Sequence, residues 1–506
     1  MTNEAIVVGS GPNGLAAAIT LAETGRAVTV LERAGHVGGA VATAELTLPG
    51  FRHDTFSSVY PAAAASPVFA RWPLERHNLR WVHPRYCYAH PLPDGRAAVL
   101  ARDVDETAAS LDALSLGDGD AWRRFVSPYV EHFDAWRATM LSGFPPLTGP
   151  LKLLKATRLS GMLEWARLLL LPAQALAHEL FRADGARAWL YGAAAHGDVP
   201  PDGAGSAIAA AHLNIMGHAV GWPSPQGGAA ALADALAGHL RALGGRTRTN
   251  APVARIAAER GRVVGVELED GERLSTPLVI ADVTPRGLLA LTRDALGGRY
   301  ASALRRYRYG PATLKLDWAL SAPVPWTAPA AREAGTVHVG GSESEMIDAL
   351  APPAGRLAER PVLLVGQQSI ADPTRAPAGQ HTAWAYTHGP QEIDWEHETE
   401  RHVERVEAQI ERFAPGFRDL ILARHVQSPA DLERRNPNLI GGDVGAGSYA
   451  LDQAIFRPLP SLTPYRTPIR GLFLGSAATF PGGAAHGVPG QAAARAALIE
   501  ARLRRR

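Results

Sequence analysis

Two glycine-rich segments, one near each end of the 506-residue chain, hold the residues best placed to do chemistry. In the first, Gly9, Gly11 and Gly14 form G-x-G-x-x-G around Pro12 and Asn13, and Glu32 stands 18 residues beyond Gly14. Glycines at this spacing allow a tight turn, a close backbone approach to a pyrophosphate, and a helix packed hard on a strand. The helix they open offers N–H groups and a positive dipole end to an anion. A carboxylate at Glu32 can accept hydrogen bonds from a ribose and would repel a 2′-phosphate, so NADP is disfavoured here. In the second segment, Gly482, Gly483, Gly487, Val488 and Gly490 surround His486, which reads as a hydrogen-bonding or an acid/base group. Between the two, Thr313, Lys315 and Asp317 alternate. On a strand, alternation puts the Lys315 amine beside the Asp317 carboxylate, either as an ion pair or as a working amine.

The elements that must position these groups are legible nearby. Ala5-Ile6-Val7-Val8 reads as a buried parallel strand, the Ala-rich stretch to Leu21 as a helix ended by Gly25, and Ala27–Leu31 as the second strand. Glu32 and Arg33 follow directly. Gly38-Gly39 is a doublet of the kind many flavoproteins bring against a diphosphate, which favours FAD over NAD; Ala40 stands where an arginine often follows. Past Gly227-Gly228 come an Ala/Leu helix (229–243) and strands at Val253–Ile256, Val263–Leu268 and Leu278–Ala281, with Asp270-Gly271 as a hairpin turn. Gly471–Leu474 reads as a strand and Pro489–Arg504 as a helix. One nucleotide site built from both ends predicts an α/β fold with a Rossmann-type FAD-binding domain from 1–66, 224–304 and 466–506. A discontinuous α+β substrate domain takes 67–223 and 305–465, the first stretch being rich in helix signals.

Composition bounds the function. A formal net charge of +2 argues against a nucleic-acid partner. The single cysteine, Cys87, excludes an internal disulfide, a CxxC redox pair and an iron–sulfur cluster. His212 and His218 fall in no metal spacing, so no metal is expected. No basic and apolar leader and no apolar run of about 18 residues is present, so the expectation is cytoplasmic. Leu147–Phe181 mixes leucines with Lys152, Lys155, Arg158 and Arg167. It reads as helices lining the substrate domain, with peripheral membrane contact as the alternative. Gly445-Ala446-Gly447 lacks a third glycine, so a second nicotinamide site is not expected and the electron acceptor is expected to be oxygen or a quinone.

The N-terminal βαβ, the PG-FRHD-x-FSSVYP segment (49–61), GW-PSPQGG (221–228), YRTP (465–468) and the terminal PGG-x-x-HGVPG (481–490) resemble the phytoene desaturase-like FAD oxidoreductases over nearly the whole chain. The nearest likeness is to the branch that carries a pyridine nucleotide–disulphide oxidoreductase name. The resemblance implies a fold like that of monoamine oxidase, with a long pocket running to the flavin. It places FAD contacts at Gly9, Gly11, Gly14, Glu32, Gly38-Gly39, Val253, Gly475, Gly482-Gly483 and Gly487–Gly490. Ser476 stands where an aspartate often follows the last strand. In related amine oxidases a strand lysine holds a water by flavin N5, the role this likeness would give Lys315. His53, Asp54, Tyr449 and Arg457 are candidates for the substrate pocket, with Trp222 a possible aromatic partner of Tyr449. The expected reaction is dehydrogenation of an extended, mostly apolar small molecule by hydride transfer to N5. Amine or amino-acid oxidation, flavin-dependent isomerisation and a flavin-bearing binding protein stand as alternatives.

Overall fold

The computed structural model describes residues 4–503. Five parallel strands form one sheet in the order Leu472–Leu474, Val279–Ala281, Glu4–Val8, Ala27–Leu31, Arg246–Arg248. Ala5 to Val8 are buried, the run of apolar residues that a parallel strand covered on both faces requires. The dinucleotide helix Pro12–Ala22 and the closing helix Val488–Leu503 cross on one face of this sheet. They cross so closely that a Cβ on Gly490 would lie 1.8 Å from the Asn13 carbonyl oxygen. First and last segments of the chain thus share one core. A three-stranded antiparallel meander, Val253–Glu259, Arg262–Leu268 and Arg273–Ser275, stands beside the sheet. The Arg504–Arg506 tail, and the last residue expected for the closing helix, lie outside the described residues.

A seven-stranded sheet carries the other half, in the order Ile421–Gln427, Ala312–Leu320, His381–Gly389, Leu363–Gly366, Ala334–Val339, Tyr86–Pro91, Ala97–Ala101. All its pairs are antiparallel except Ala334–Val339 with Tyr86–Pro91. The stretch expected to be mainly helical therefore also supplies two strands, Tyr86–Pro91 and Ala97–Ala101. Strand alternation divides the sheet's work. Leu314, Leu316 and Trp318 pack with Val403, Val406 and Ile410 of the amphipathic helix Trp395–Phe413. Thr313, Lys315 and Asp317 point the other way, toward the first sheet. Farther along, Tyr88 and Leu100 pack under a helical layer that includes Trp189 and Ile215.

Arg375 ties the halves together. It is buried, donating from Nη2 to Asp54 Oδ2 at 3.0 Å and from Nε to Asp372 Oδ2 at 3.1 Å. Asp54 Oδ1 accepts in turn from the Ala229 amide at 2.7 Å, and Asp372 Oδ2 from the Gly227 amide at 2.7 Å.

Candidate functional site

At the C-terminal end of the parallel sheet, the strand Glu4–Val8 hands over to Gly9, whose amide donates to the Leu31 carbonyl at 2.8 Å. A Cβ on Gly14 would sit 2.1 Å from the Gly9 carbonyl oxygen, so only glycine lets the helix begin this close to its strand. Glu32 is held in place by its own neighbours: Oε2 accepts from the Ser10 amide (2.9 Å) and hydroxyl (2.6 Å), Oε1 from the Ala34 amide (2.8 Å). The Gly38 amide reaches the Ser10 hydroxyl at 3.1 Å, which fixes the glycine doublet against the loop. Asp282, just past the strand Val279–Ala281, accepts from the Gly14 amide at 2.9 Å. Burial pushes its carboxyl up to about 7, opposed by the Gly14 amide and assisted by Glu32.

These groups open onto one cavity of about 1260 Å³. Gly9, Gly11, Pro12, Asn13, Glu32, Arg33, Gly39, Val253 and Asp282 line one part of it; Gly483 to His486 line another. Asn13 Oδ1 is buried there with no hydrogen-bond partner among the described residues, an acceptor suited to a hydroxyl. Thr313, Lys315, Tyr386 and His388 form a wall on the second sheet, where register sets Thr313 opposite His388 and Lys315 opposite Tyr386. Lys315 Nζ donates to Asp317 Oδ1 at 2.5 Å, and the His53 ring lies 3.8 Å from the same oxygen. His388 Nδ1 is 3.1 Å from Thr313 Oγ1, and burial lowers its pKa to about 4. His196 sits between Tyr386 and His338, and burial lowers it likewise to about 3. Beyond this wall the lining turns apolar, with Met140, Leu141, Trp165, Leu169, Ile208 and Leu213.

Residues 92–499 match the family described as flavin containing amine oxidoreductase, and residues 7–72 match the NAD(P)-binding Rossmann-like domain. The chain belongs to the flavin-containing amine oxidoreductases. It is 29% identical to a rat protein named pyridine nucleotide-disulfide oxidoreductase domain-containing protein 2, over 97% of this chain and 92% of the relative. It is 28% identical to the neurosporene-forming phytoene desaturase of Rhodobacter capsulatus, over 96% and 91%. An oxidoreductase structure from Methanosarcina mazei superposes with a TM-score of 0.62 at 17% identity, over 98% of this chain and all of that one. The protein is an FAD-dependent oxidoreductase with the fold its sequence resemblance implies.

The flavin family's cofactor fits this cavity. Glu32 and the Gly9–Asn13 backbone suit the ribose and diphosphate, Asn13 Oδ1 has an acceptor to spare, and Val253 lies on the lining. Arg33 and Arg435 bring guanidinium groups to the lining that Ala40 does not. Other residues singled out in the sequence lie behind it. Gly14, Gly38, Gly475, Ser476, Gly482, Gly487, Val488 and Gly490 shape the walls from the second layer. Ser476 is buried, and its hydroxyl accepts from the Ala478 amide within its own turn. His486 reaches the lining, yet its Nδ1 accepts from the Val488 amide at 3.2 Å, capping the closing helix. Burial lowers its pKa to about 4, opposed by a backbone contact with Gly483.

The four pocket candidates separate. His53 and Asp54 stand outside the lining: His53 is bonded to Thr47 at 2.7 Å, and Asp54 is engaged by Arg375. Both side chains are engaged in polar contacts behind the lining. Tyr449 is on the lining, and its hydroxyl accepts from the Gly483 amide at 2.6 Å. Trp222 also lines the cavity but packs edge-on against His196 and tilted against Tyr88. Arg457 is fully buried behind Tyr449, its guanidinium 4.5 Å from that ring. Asp282, His388, His196 and the edge strand Arg246–Arg248 went unread in the sequence. Only Asp282 left a signal there, as a carboxylate immediately after the strand Val279–Ala281.

Among the described residues no group of three His, Cys, Asp or Glu side chains is arranged to hold a metal, and no helix is long and apolar enough to cross a membrane.

Proposed function

We propose that this protein dehydrogenates an extended, mostly apolar small molecule and takes it up from a lipid surface. The observation that carries the reading is the continuity of the cavity. One space runs from the glycine loop, past the Lys315–His388 wall, into an apolar bore between helices. A bore of this kind selects by length and hydrophobicity. FAD, when bound, supplies the hydride acceptor at N5. A CH–CH pair that gives up a hydride must also lose a proton to become C=C. His388 is suited to receive it: with the proton on Nδ1 donated to Thr313, Nε2 keeps its lone pair, and the lowered pKa leaves the ring neutral near pH 7. Lys315, anchored by Asp317, holds a fixed positive charge on the same wall. The Ser10–Glu32–Gly38 bonds keep the nucleotide end in register with it. Oxygen or a quinone would reoxidise the cofactor.

The bore ends at the segment 147–170. Trp165 and Leu169 line the cavity, while Leu159, Leu163 and Leu170 are 67%, 63% and 63% exposed on the outside. Leu151 and Leu154 extend the apolar stripe, and Lys152, Lys155 and Arg158 lie exposed beside it without ion pairs among the described residues. Leucines next to unpaired cations suit the boundary of an anionic membrane.

Oxidation of an amine is the second reading, favoured by Asp198 and Asp443, carboxylates that share the lining with Tyr449. Anaerobic mixing of the FAD-loaded protein with apolar polyenes and isoprenoids in one series, and alkyl amines in another, decides between them. Bleaching of the flavin by the first series alone is expected. Bleaching by amines alone overturns the proposal.

A further inference from the structure

Arg457 is an unusual cation. It is fully buried, and Nη2 donates to the Tyr307 hydroxyl (2.7 Å) and to the Ala446 (3.0 Å) and Gly447 (2.9 Å) carbonyls. Among the described residues Nε and Nη1 have no partner of good hydrogen-bond geometry, and the Tyr449 side chain bears on the guanidinium. Burial weighs against its charge, and Tyr449 and Tyr307 give the largest support to it; among the described residues it forms no ion pair with a carboxylate. Burying a guanidinium without a counter-charge is costly.

What lies in front of it is the flavin end of the cavity. The guanidinium stacks on the Tyr449 ring at 4.5 Å, and Nη1 packs so tightly on the loop that a Cβ on Gly482 would be 2.4 Å from it. Tyr449 in turn holds the Gly483 amide, and Tyr449 and Gly483 both line the cavity. The closing helix Val488–Leu503 starts five residues on from Gly483, its positive end directed to the same place.

We propose that Arg457 tunes the flavin: its buried positive charge, held one layer behind Tyr449 and the Gly482–Gly483 backbone, makes the bound ring easier to reduce. The reaction gains no new reactant. The hydride still comes from the substrate C–H, and the charge stabilises the negative charge that the reduced ring gathers at its pyrimidine edge. Arg457 is a positioning residue in this role, since it touches neither substrate nor cofactor. The inference rests on the ring lying against Gly483, with Gly482 behind it.

The test is the midpoint potential of the FAD-loaded protein, measured by equilibrium reduction against a reference dye, for wild type, Arg457→Lys and Arg457→Gln. Loss of the charge should weaken binding of reduced relative to oxidised flavin at least tenfold, a fall of about 30 mV for a two-electron couple. Arg457→Lys should stay near wild type. An Arg457→Gln protein with full flavin and the wild-type potential overturns the proposal. If Arg457→Gln takes up no flavin, Tyr307→Glu is measured instead: it sets a carboxylate on the Arg457 guanidinium, so a lower potential is expected and the wild-type potential overturns the proposal. Gly483→Leu separates the two layers of the argument. A flavin spectrum insensitive to that change refutes the ring placement, whereas a sensitive spectrum with an unchanged Arg457→Gln potential refutes the tuning alone.

Discussion

Asp282 accepts the Gly14 amide at 2.9 Å across 268 residues of sequence, so a carboxyl group stands at the mouth of the helix that is to receive a diphosphate. Its folded pKa of about 7 lies above the value near 3.9 of an unfolded chain. The folded protein therefore binds more protons than the unfolded one between these values. The stability it contributes is complete below about pH 4 and is lost as the pH rises through 7. Above pH 7 the charged carboxylate also opposes a phosphate. We expect FAD to bind more weakly at pH 8 than at pH 6, with Asp282→Asn, which keeps the acceptor for Gly14, removing most of that difference. Fluorescence titration of the apoprotein with FAD at the two pH values measures it.

His486 acts here as a cap. His486→Ala should cost about 1 kcal/mol of stability, while His486→Asn, whose side-chain oxygen can take the Val488 amide, should recover most of it. Denaturant midpoints read the pair. Equal loss of substrate turnover in both variants at unchanged stability would instead mark an acid/base role. The same ring titrates at about 4 when folded, below its ordinary 6.5. Stability tied to it is present above pH 6.5 and is lost as the pH falls through 4.

On the cavity wall, His388→Phe should slow flavin reduction by substrate about a hundredfold, within the usual range for a lost general base, with flavin content unchanged. Lys315→Met should also retain FAD and slow the same step, and it leaves Asp317 as a buried carboxylate without its partner, so its thermal midpoint should drop as well. Stopped-flow reduction and thermal melting separate the two effects.

The outward leucines make the membrane reading testable. Leu159→Glu with Leu163→Glu should abolish co-sedimentation with vesicles containing anionic phospholipid and leave the melting temperature within a degree or two, because both side chains are solvent-facing. Vesicle binding unchanged by this pair would remove the lipid surface from the proposal.

The dinucleotide unit was legible because its physics is local. Gly9, Gly11, Gly14 and Glu32 each answer to a turn, a close approach or a ribose within one βαβ stretch. The closing strand and helix were legible for the same reason. The strands Tyr86–Pro91 and Ala97–Ala101 were not, since Tyr-Cys-Tyr-Ala-His-Pro is buried on both faces and its one strongly polar residue, His90, makes no alternation to read. His388 and His196 come together only through strand pairing and helix packing across 192 positions, which no spacing rule encodes. His53 and Asp54 show the reverse: a chemistry-rich pair in sequence that tertiary contacts commit to structural bonds.

The Asp54–Arg375–Asp372 junction bears on how guests are admitted. A buried cation held between two anions opposes hinge opening of the two halves, so under the proposed function a long guest enters end-on, and the bond that meets the reactive ring is set by how far the guest slides along the cavity. Regiochemistry in such an enzyme becomes a matter of measured depth.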